Sequence, residues 1–190
     1  MKRLFDLVLG LTAAAVLLVP LIVVAVLVRL TSPGPVLYWS DRVGRHNKIF
    51  KMPKFRSMRA DTPVVATHLL TDASSHLTLI GAFLRKSSLD ELPQLWSILA
   101  GDMSFVGPRP ERPEFVSHLN EVIPYYRERH CVKPGITGWA QLCYPYGSSE
   151  QDAMEKLKFD MYYVKNQSLL FDLAILFQTV EVVLWGKGAR

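Results

Sequence analysis

The segment Ser88-Leu89-Asp90-Glu91-Leu92-Pro93-Gln94-Leu95-Trp96 decides how the middle of this chain folds. The apolar residues at positions 92, 95, 96 and 99 follow the i, i+3, i+4, i+7 spacing of an amphipathic helix, whose first turn would hold Asp90 and Glu91. Pro93 fits this placement, because a proline in the first turn breaks no helical hydrogen bond. The spacing by itself is typical of helix capping, with Ser88 and Glu91 forming a capping box.

Cations flank the two carboxylates on both sides. Arg85 precedes them, and Arg109 and Arg112 follow within a segment, 107–113, that prolines make stiff. A carboxylate at a helix N-terminus is held in its ionised form, and ionised carboxylates can act as nucleophiles in phosphoryl transfer. The pattern therefore also favours a second interpretation, in which Asp90 is a nucleophile and the cations hold a diphosphate.

The composition indicates that part of the chain lies in lipid. Hydrophobic residues make up 49% of its 190 residues, which is high for a soluble protein, and the net charge is +5. That charge suits an anionic membrane surface or substrate, whereas nucleic acid is not expected as a partner, because the basic residues are spread among apolar stretches. Cys131 and Cys143 lack metal-ligand spacing, and no disulfide is predicted.

Residues 7–28 carry no charge and would form a helix of about 33 Å, enough to cross a bilayer. The default interpretation is a single spanning helix. Pro20, in the middle of the run, removes one helical hydrogen bond and favours a break. Both flanks are basic, and a helix that enters and returns keeps both on one side of the membrane, as the positive-inside rule prefers. Composition leaves these two topologies open.

The rest of the chain reads as one small α-rich α+β domain. A short strand or an interfacial run with aromatic anchors is predicted at 36–39 and a strand at 48–59. A loop is predicted at 61–75, and helices near 77–84, 114–122 and 153–163. The apolar segment 169–185 is interrupted by polar residues, so it is predicted to be a core helix or an amphipathic helix lying in the interface, with Trp185 and Lys187 at headgroup level.

Three motifs, at 88–94, 101–110 and 133–141, resemble the bacterial sugar transferase family, the monotopic polyprenyl-phosphate phosphoglycosyl transferases. The resemblance continues through 50–58, 159–165 and 169–177, so it covers nearly the whole chain in order. It implies a re-entrant helix-break-helix anchor over 1–32, a catalytic domain over 33–190, and a location on the cytoplasmic face of the bacterial inner membrane. The serine often found before the proline at the break is replaced here by Val19.

The resemblance also implies a reaction. A sugar-1-phosphate would pass from a nucleotide diphosphate sugar, expected to be a UDP-sugar, to undecaprenyl phosphate through an aspartyl phosphosugar on Asp90. Mg²⁺ is the implied cofactor, held by Asp90 and the donor diphosphate. Glu91 would position the metal or transfer a proton, and the sequence leaves both roles open. The implied substrate-binding residues are Lys54, Arg85, Arg109, Arg112 and Asp160.

The pathway expected from the resemblance is exopolysaccharide or other surface glycan synthesis. The alternative is a catalytically inactive, membrane-tethered binding or scaffold protein of the same pathway, although the motif residues are all present. A hydrolase using Asp90 and Glu91 as an acid/base pair would leave the membrane tether unexplained. The sequence does not identify the sugar, and it leaves homo-oligomerisation open.

Overall fold

A computed structural model describes residues 1–59, 61–62, 75–145, 147 and 149–185. Most of the loop predicted at 61–75 lies outside the described residues, and so does Lys187. Over these residues the fold is helix-rich and carries two small two-stranded sheets, in agreement with the predicted α-rich α+β class.

Helix α1 runs from Lys2 to Thr31 without interruption, with Pro20 inside it. The predicted break at Pro20 is therefore not confirmed. Apolar side chains such as Leu11, Val16 and Leu30 are 62%, 71% and 77% exposed. Among the described residues, α1 is the one helix that is long and apolar enough to cross a membrane.

The first sheet pairs β1 (Leu37–Val43) with β2 (Ile49–Phe55), which confirms both predicted strands with shifted bounds. A turn at Arg45–Asn47 joins them, and His46 and Asn47 take positive φ there. After β2 come α2 (Gly81–Lys86), a 3-10 helix (Leu89–Gln94) and α3 (Leu95–Ala100).

Among the described residues, the C-terminal half contains four further α-helices, one 3-10 helix and a second sheet. Helices α4 (Pro113–Val122), α6 (Glu150–Asn166) and α7 (Leu169–Trp185) confirm the three predicted helices, and a 3-10 helix (Tyr126–Cys131) and α5 (Trp139–Cys143) lie between them. Strands β3 (Ser104–Val106) and β4 (Gly135–Thr137) pair in parallel, with Ser104 opposite Gly135 and Val106 opposite Thr137. The sequence did not predict this sheet, because three-residue strands are too short to show alternation.

The chain forms two compact units. The first unit comprises Met1–Leu9, Asp41–Lys51 and Ser97–Arg190, and the second comprises Gly10–Ser40 and Met52–Trp96. The predicted division into an anchor over 1–32 and a catalytic domain over 33–190 concerns contact with lipid, which these units do not test.

Buried polar bonds hold the start of α1 within the first unit. Lys2 Nζ lies 2.6 Å from Asp172 Oδ2, and Asp172 is fully buried. The Tyr163 hydroxyl donates to Asp172 Oδ1 at 2.7 Å, and Asp6 accepts from Ser104 Oγ at 2.9 Å. The apolar core around these bonds includes Val106, Tyr163 and Ile175.

In the second unit, the last turns of α1 supply part of the core. Val24 and Val28 are buried with Phe55 of β2 and Leu84 of α2. Leu89 and Leu92 of the 3-10 helix pack against this cluster. Trp96 is 65% exposed, so its predicted place on the buried face is wrong. The helix changes from 3-10 to α geometry at Leu95, which rotates the later side chains about the helix axis. Ile98, rather than Trp96, is therefore the fully buried residue.

Candidate active site

Asp90 and Glu91 lie in the first turn of the 3-10 helix Leu89–Gln94. Helix α2 ends at Lys86, and Ser88 takes a left-handed conformation (φ 57°) that redirects the chain into the 3-10 helix. The Ser88 side chain makes no capping hydrogen bond, so the predicted capping box is not formed. Asp90 is buried, at 8% exposure.

Glu91 pairs with Lys54 of β2. Lys54 Nζ lies 2.6 Å from Glu91 Oε1, and the two side chains are 18% and 20% exposed. This contact joins two residues that are far apart in sequence. It also explains why Glu91 does not cap the helix: its carboxylate binds the ammonium group instead.

Neighbouring charges partly compensate the burial of Asp90. Burial raises the pKa of Asp90 above its usual value, Lys54 and Arg85 lower that pKa, and Glu91 raises it. A carboxylate that is partly removed from water has lost hydration that would weaken it as a nucleophile, and the two cations favour its ionised form. The arrangement is chemically suited to attack on an electrophilic phosphorus.

Arg56, which sequence reasoning missed, fixes the strand that carries Lys54. Arg56 is 6% exposed, and its guanidinium donates to the carbonyl oxygens of Ser32 and Pro33, both at 2.7 Å. These carbonyls follow directly after the C-terminus of α1, where the helix dipole favours a cation. The only sequence signal was the alternation of cations and apolar residues from 48 to 59, which does not show which cation is buried.

The other three predicted site residues belong to the first unit. Arg109 and Arg112 lie on the loop between β3 and α4, and Arg112 Nε is 3.5 Å from Glu114 Oε2. The loop begins at Gly107, where a Cβ atom would lie 2.2 Å from the carbonyl oxygen of Lys133, so only glycine allows this approach.

Asp160 is 2% exposed and forms a buried ion pair with Arg129, whose Nη2 lies 2.7 Å from Asp160 Oδ2. Burial acts to lower the pKa of Arg129, but Asp160, Tyr126 and Glu111 together raise it, so the guanidinium is charged. The same group donates to the carbonyl oxygen of Arg109 at 3.1 Å. These contacts stabilise the loop, and the role of Asp160 as a substrate ligand stays a prediction.

Few residues fit a resident metal site. The described residues include no group of three or more carboxylate, histidine or cysteine side chains that could hold an ion. Asp90 and Glu91 are two adjacent carboxylates, and Mg²⁺ often binds proteins through one or two carboxylates together with substrate phosphates. The donor set therefore fits an ion that arrives with a diphosphate.

Comparison with known proteins places these residues among sugar transferases. The sequence model of the bacterial sugar transferase family matches residues 1–186. An Aeromonas hydrophila protein named UDP-N-acetylgalactosamine-undecaprenyl-phosphate N-acetylgalactosaminephosphotransferase is 43% identical over 182 residues, covering 93% of this chain and 43% of the relative. A Xanthomonas campestris pv. campestris protein named UDP-glucose:undecaprenyl-phosphate glucose-1-phosphate transferase is 41% identical over 191 residues, covering 99% of this chain and 40% of the relative.

A third relative is similar over its whole length. The exopolysaccharide production protein PSS of Rhizobium leguminosarum bv. phaseoli is 41% identical over 195 residues, covering 99% of this chain and 98% of the relative. The chain thus spans about two fifths of the first two relatives and nearly all of the third.

Proposed function

Because the chain belongs to the bacterial sugar transferase family, we propose that it transfers a sugar-1-phosphate from a UDP-sugar to undecaprenyl phosphate. The observation that carries this proposal is the buried carboxylate of Asp90 beside the Lys54–Glu91 ion pair. The names of the Aeromonas and Xanthomonas relatives include both a UDP-sugar and undecaprenyl phosphate, which supports the choice of donor and acceptor.

The reaction proceeds in two displacements at one phosphorus atom. A carboxylate oxygen of Asp90 attacks the phosphorus linked to the sugar, the bond from that phosphorus to the uridine monophosphate oxygen breaks, and uridine monophosphate leaves with the electron pair. A phosphate oxygen of undecaprenyl phosphate then attacks the same phosphorus. The acyl phosphate bond breaks, the Asp90 carboxylate is regenerated, and the product is undecaprenyl diphosphate sugar.

The cations beside Asp90 prepare the nucleophile. Lys54 and Arg85 act to lower the pKa of Asp90, which favours its ionised form. Arg109 and Arg112 are the proposed contacts to donor phosphates, as arginines suit bidentate binding of phosphate. Glu91 orients Lys54 through their 2.6 Å ion pair. Mg²⁺, held by Asp90 and the donor diphosphate, would neutralise phosphate charge.

The contacts at the start of α1 support a topology in which its N-terminus lies on the same face of the membrane as Asp172. If α1 spanned the bilayer, Lys2 in its first turn and Asp172 in α7 would lie on opposite sides, since the described residues include no second candidate span. Lys2 and Asp172 are instead bonded at 2.6 Å. We place this face at the cytoplasmic side of the bacterial inner membrane, where a water-soluble nucleotide sugar can reach it.

A transfer assay tests the proposed function. Purified protein is incubated with undecaprenyl phosphate, Mg²⁺ and each of several UDP-sugars labelled in the sugar, and label in the organic phase is counted. We expect transfer with at least one sugar and none with Asp90→Asn, which has the same size but cannot form an acyl phosphate. Asp61→Asn, an exposed carboxylate of the same unit, should behave as the unmodified protein.

Mass spectrometry of protein quenched before acceptor is added should find a hexose-phosphate adduct on the peptide containing Asp90. Transfer by Asp90→Asn at more than a residual rate would show that another group is the nucleophile. Absence of transfer with every UDP-sugar would favour the scaffold alternative. The Rhizobium relative's name supports exopolysaccharide synthesis as the pathway.

A further inference from the structure

Three cations of the first unit lie near one another, Arg3, Arg45 and Lys133, and they are called here the basic cluster. Backbone carbonyl oxygens fix the two guanidinium groups. Arg3 donates to the carbonyl oxygens of Ile98 and Leu99, at 2.5 and 2.7 Å, and Arg45 Nε donates to that of Cys131 at 3.1 Å. These bonds hold the side chains in place without neutralising their charge.

The ammonium group of Lys133 stands over a glycine. Lys133 Nζ lies 3.5 Å, and Arg3 Nη2 3.3 Å, from the point that a Cβ atom on Gly101 would occupy. Gly101 has a φ of 101°, which other residues rarely adopt, so the space beside the two cations is kept free of a side chain. Within the described part of the chain, Lys133 Nζ has no hydrogen-bond or ion-pair partner.

Nearby carboxylates do not match these charges. Asp6 is 1% exposed and already accepts from Ser104 Oγ at 2.9 Å and from the Phe105 N–H at 3.2 Å. Asp102 is exposed to solvent. Burial and then the charge of Arg3 lower the pKa of Lys133, so the like charges are held together at a cost. None of the three cations forms an ion pair with a carboxylate of the described residues. An anion placed between them would remove that cost.

We propose that the basic cluster binds a phosphate group carried by a membrane lipid. Arg3 lies in the first turn of α1, beside Leu4 and Val8, which are 67% and 59% exposed. The apolar surface of the helix therefore begins at the level of the cluster, and lipid phosphates lie where such a surface enters a bilayer. The proposal rests on the membrane association included in the proposed function.

Two kinds of lipid carry a suitable phosphate: an anionic phospholipid and the isoprenoid phosphate acceptor. Both offer phosphate oxygens to one ammonium and two guanidinium groups. Because inorganic phosphate has the same charged group without a lipid tail, it separates binding of phosphate as such from binding at the membrane.

Native mass spectrometry of detergent-solubilised protein can count bound molecules of phosphatidylglycerol, undecaprenyl phosphate and inorganic phosphate, with diacylglycerol as the uncharged control. For at least one of the two phosphate lipids, we expect Lys133→Gln to raise the dissociation constant about fivefold, in line with one lost lysine contact at a membrane surface. The matched control is Lys165→Gln, an exposed lysine in the last turn of α6, which should bind as the unmodified protein does.

Equal affinities in the unmodified protein and Lys133→Gln would overturn the proposal, and so would equal losses in both lysine variants. Binding of inorganic phosphate alone would overturn the assignment to lipid. Arg45→Gln, which changes an exposed residue, gives a second test if Lys133→Gln does not fold, as judged by circular dichroism. Because transfer requires Asp90 and lipid binding does not, lipid binding that depends on Lys133 in inactive Asp90→Asn would support the proposal independently of the transfer reaction.

Discussion

Asp90 is a carboxylate whose ionisation depends on two cations. Burial raises its pKa, and Lys54 is the largest influence that lowers it. Replacing Lys54 with methionine removes this influence and also leaves the charge of Glu91 unbalanced, so both effects raise the pKa of Asp90 further. Because only the ionised form attacks phosphorus, the acid limb of kcat/KM should move to higher pH.

The pH dependence of transfer by Lys54→Met tests this expectation. Lys51→Met is the control, since Lys51 lies on the same strand and is 74% exposed. An acid limb that stays in place in Lys54→Met would contradict the assignment of Lys54 as the charge that keeps Asp90 ionised.

The same burial predicts an effect of Asp90 on stability. A carboxyl group whose pKa is higher in the folded state than in the unfolded state destabilises the fold when it is ionised, and this cost disappears below the unfolded pKa. Asp90→Asn should therefore raise Tm at pH 7, and the difference should disappear near pH 3, where both states bind the proton. Thermal unfolding at the two pH values measures it. A variant less stable at pH 7 would contradict the direction given for the pKa of Asp90.

Ser88 determines where the 3-10 helix that carries Asp90 begins. The Ser88 backbone is left-handed, with a φ of 57°. This conformation costs about 1 kcal/mol or more in any residue other than glycine, and the cost is highest in β-branched residues. Ser88→Val should lower the free energy of unfolding by about 1–2 kcal/mol and reduce transfer. Ser88→Gly should retain both the stability and the transfer activity, because glycine adopts this conformation freely. Urea unfolding and the transfer assay check the pair; equal effects of valine and glycine would show that the hydroxyl matters instead.

At the scale of secondary-structure elements, the end of α1 and strand β2 are joined by one buried guanidinium. Arg56→Ala removes the donors to the carbonyl oxygens of Ser32 and Pro33, and it opens a cavity. We expect a loss of about 3 kcal/mol in the free energy of unfolding, by the usual values for hydrogen bonds to charged groups.

The control for this variant is Arg59→Ala, which removes an arginine that is 58% exposed and paired with Asp61. Its loss should stay within about 0.5 kcal/mol, as for other surface positions. Denaturant unfolding of both variants in the same detergent measures the difference. Equal losses would mean that the bonds of Arg56 contribute little to the stability of the second unit.

At the scale of the whole molecule, the topology of α1 can be tested by labelling. Cys131 and Cys143 are first replaced with serine. Two single-cysteine variants are then made: one carries its cysteine in a short tag before Met1, and the other carries Lys165→Cys. Since Lys2 is bonded to Asp172, both positions should resist an impermeant maleimide added to intact spheroplasts, and both should react after lysis. A tag that reacts in intact spheroplasts would show that α1 spans the membrane.

Local sequence patterns determined most of the elements. Helices α4, α6 and α7 were predicted, because their apolar spacing, their prolines and their flanking polar residues act within a few turns of chain. The parallel strands β3 and β4 were not predicted, since each has three residues and is stabilised by a partner about 30 residues away in sequence. Helix α1 continues through Pro20, where a break was expected, because proline lowers the stability of a helix without always ending it.

The sequence by itself determined the family, the long apolar N-terminal helix and the segment with Asp90, because motifs and hydrophobic runs are continuous along the chain. Only the tertiary structure decided the partners of the charged residues. It paired Glu91 with Lys54 rather than with the cap at Ser88, and it paired Asp160 with Arg129. The reason is physical: burial and the charges that reach a residue from distant parts of the chain set its ionisation and its bonds, and neither can be read from neighbours in sequence.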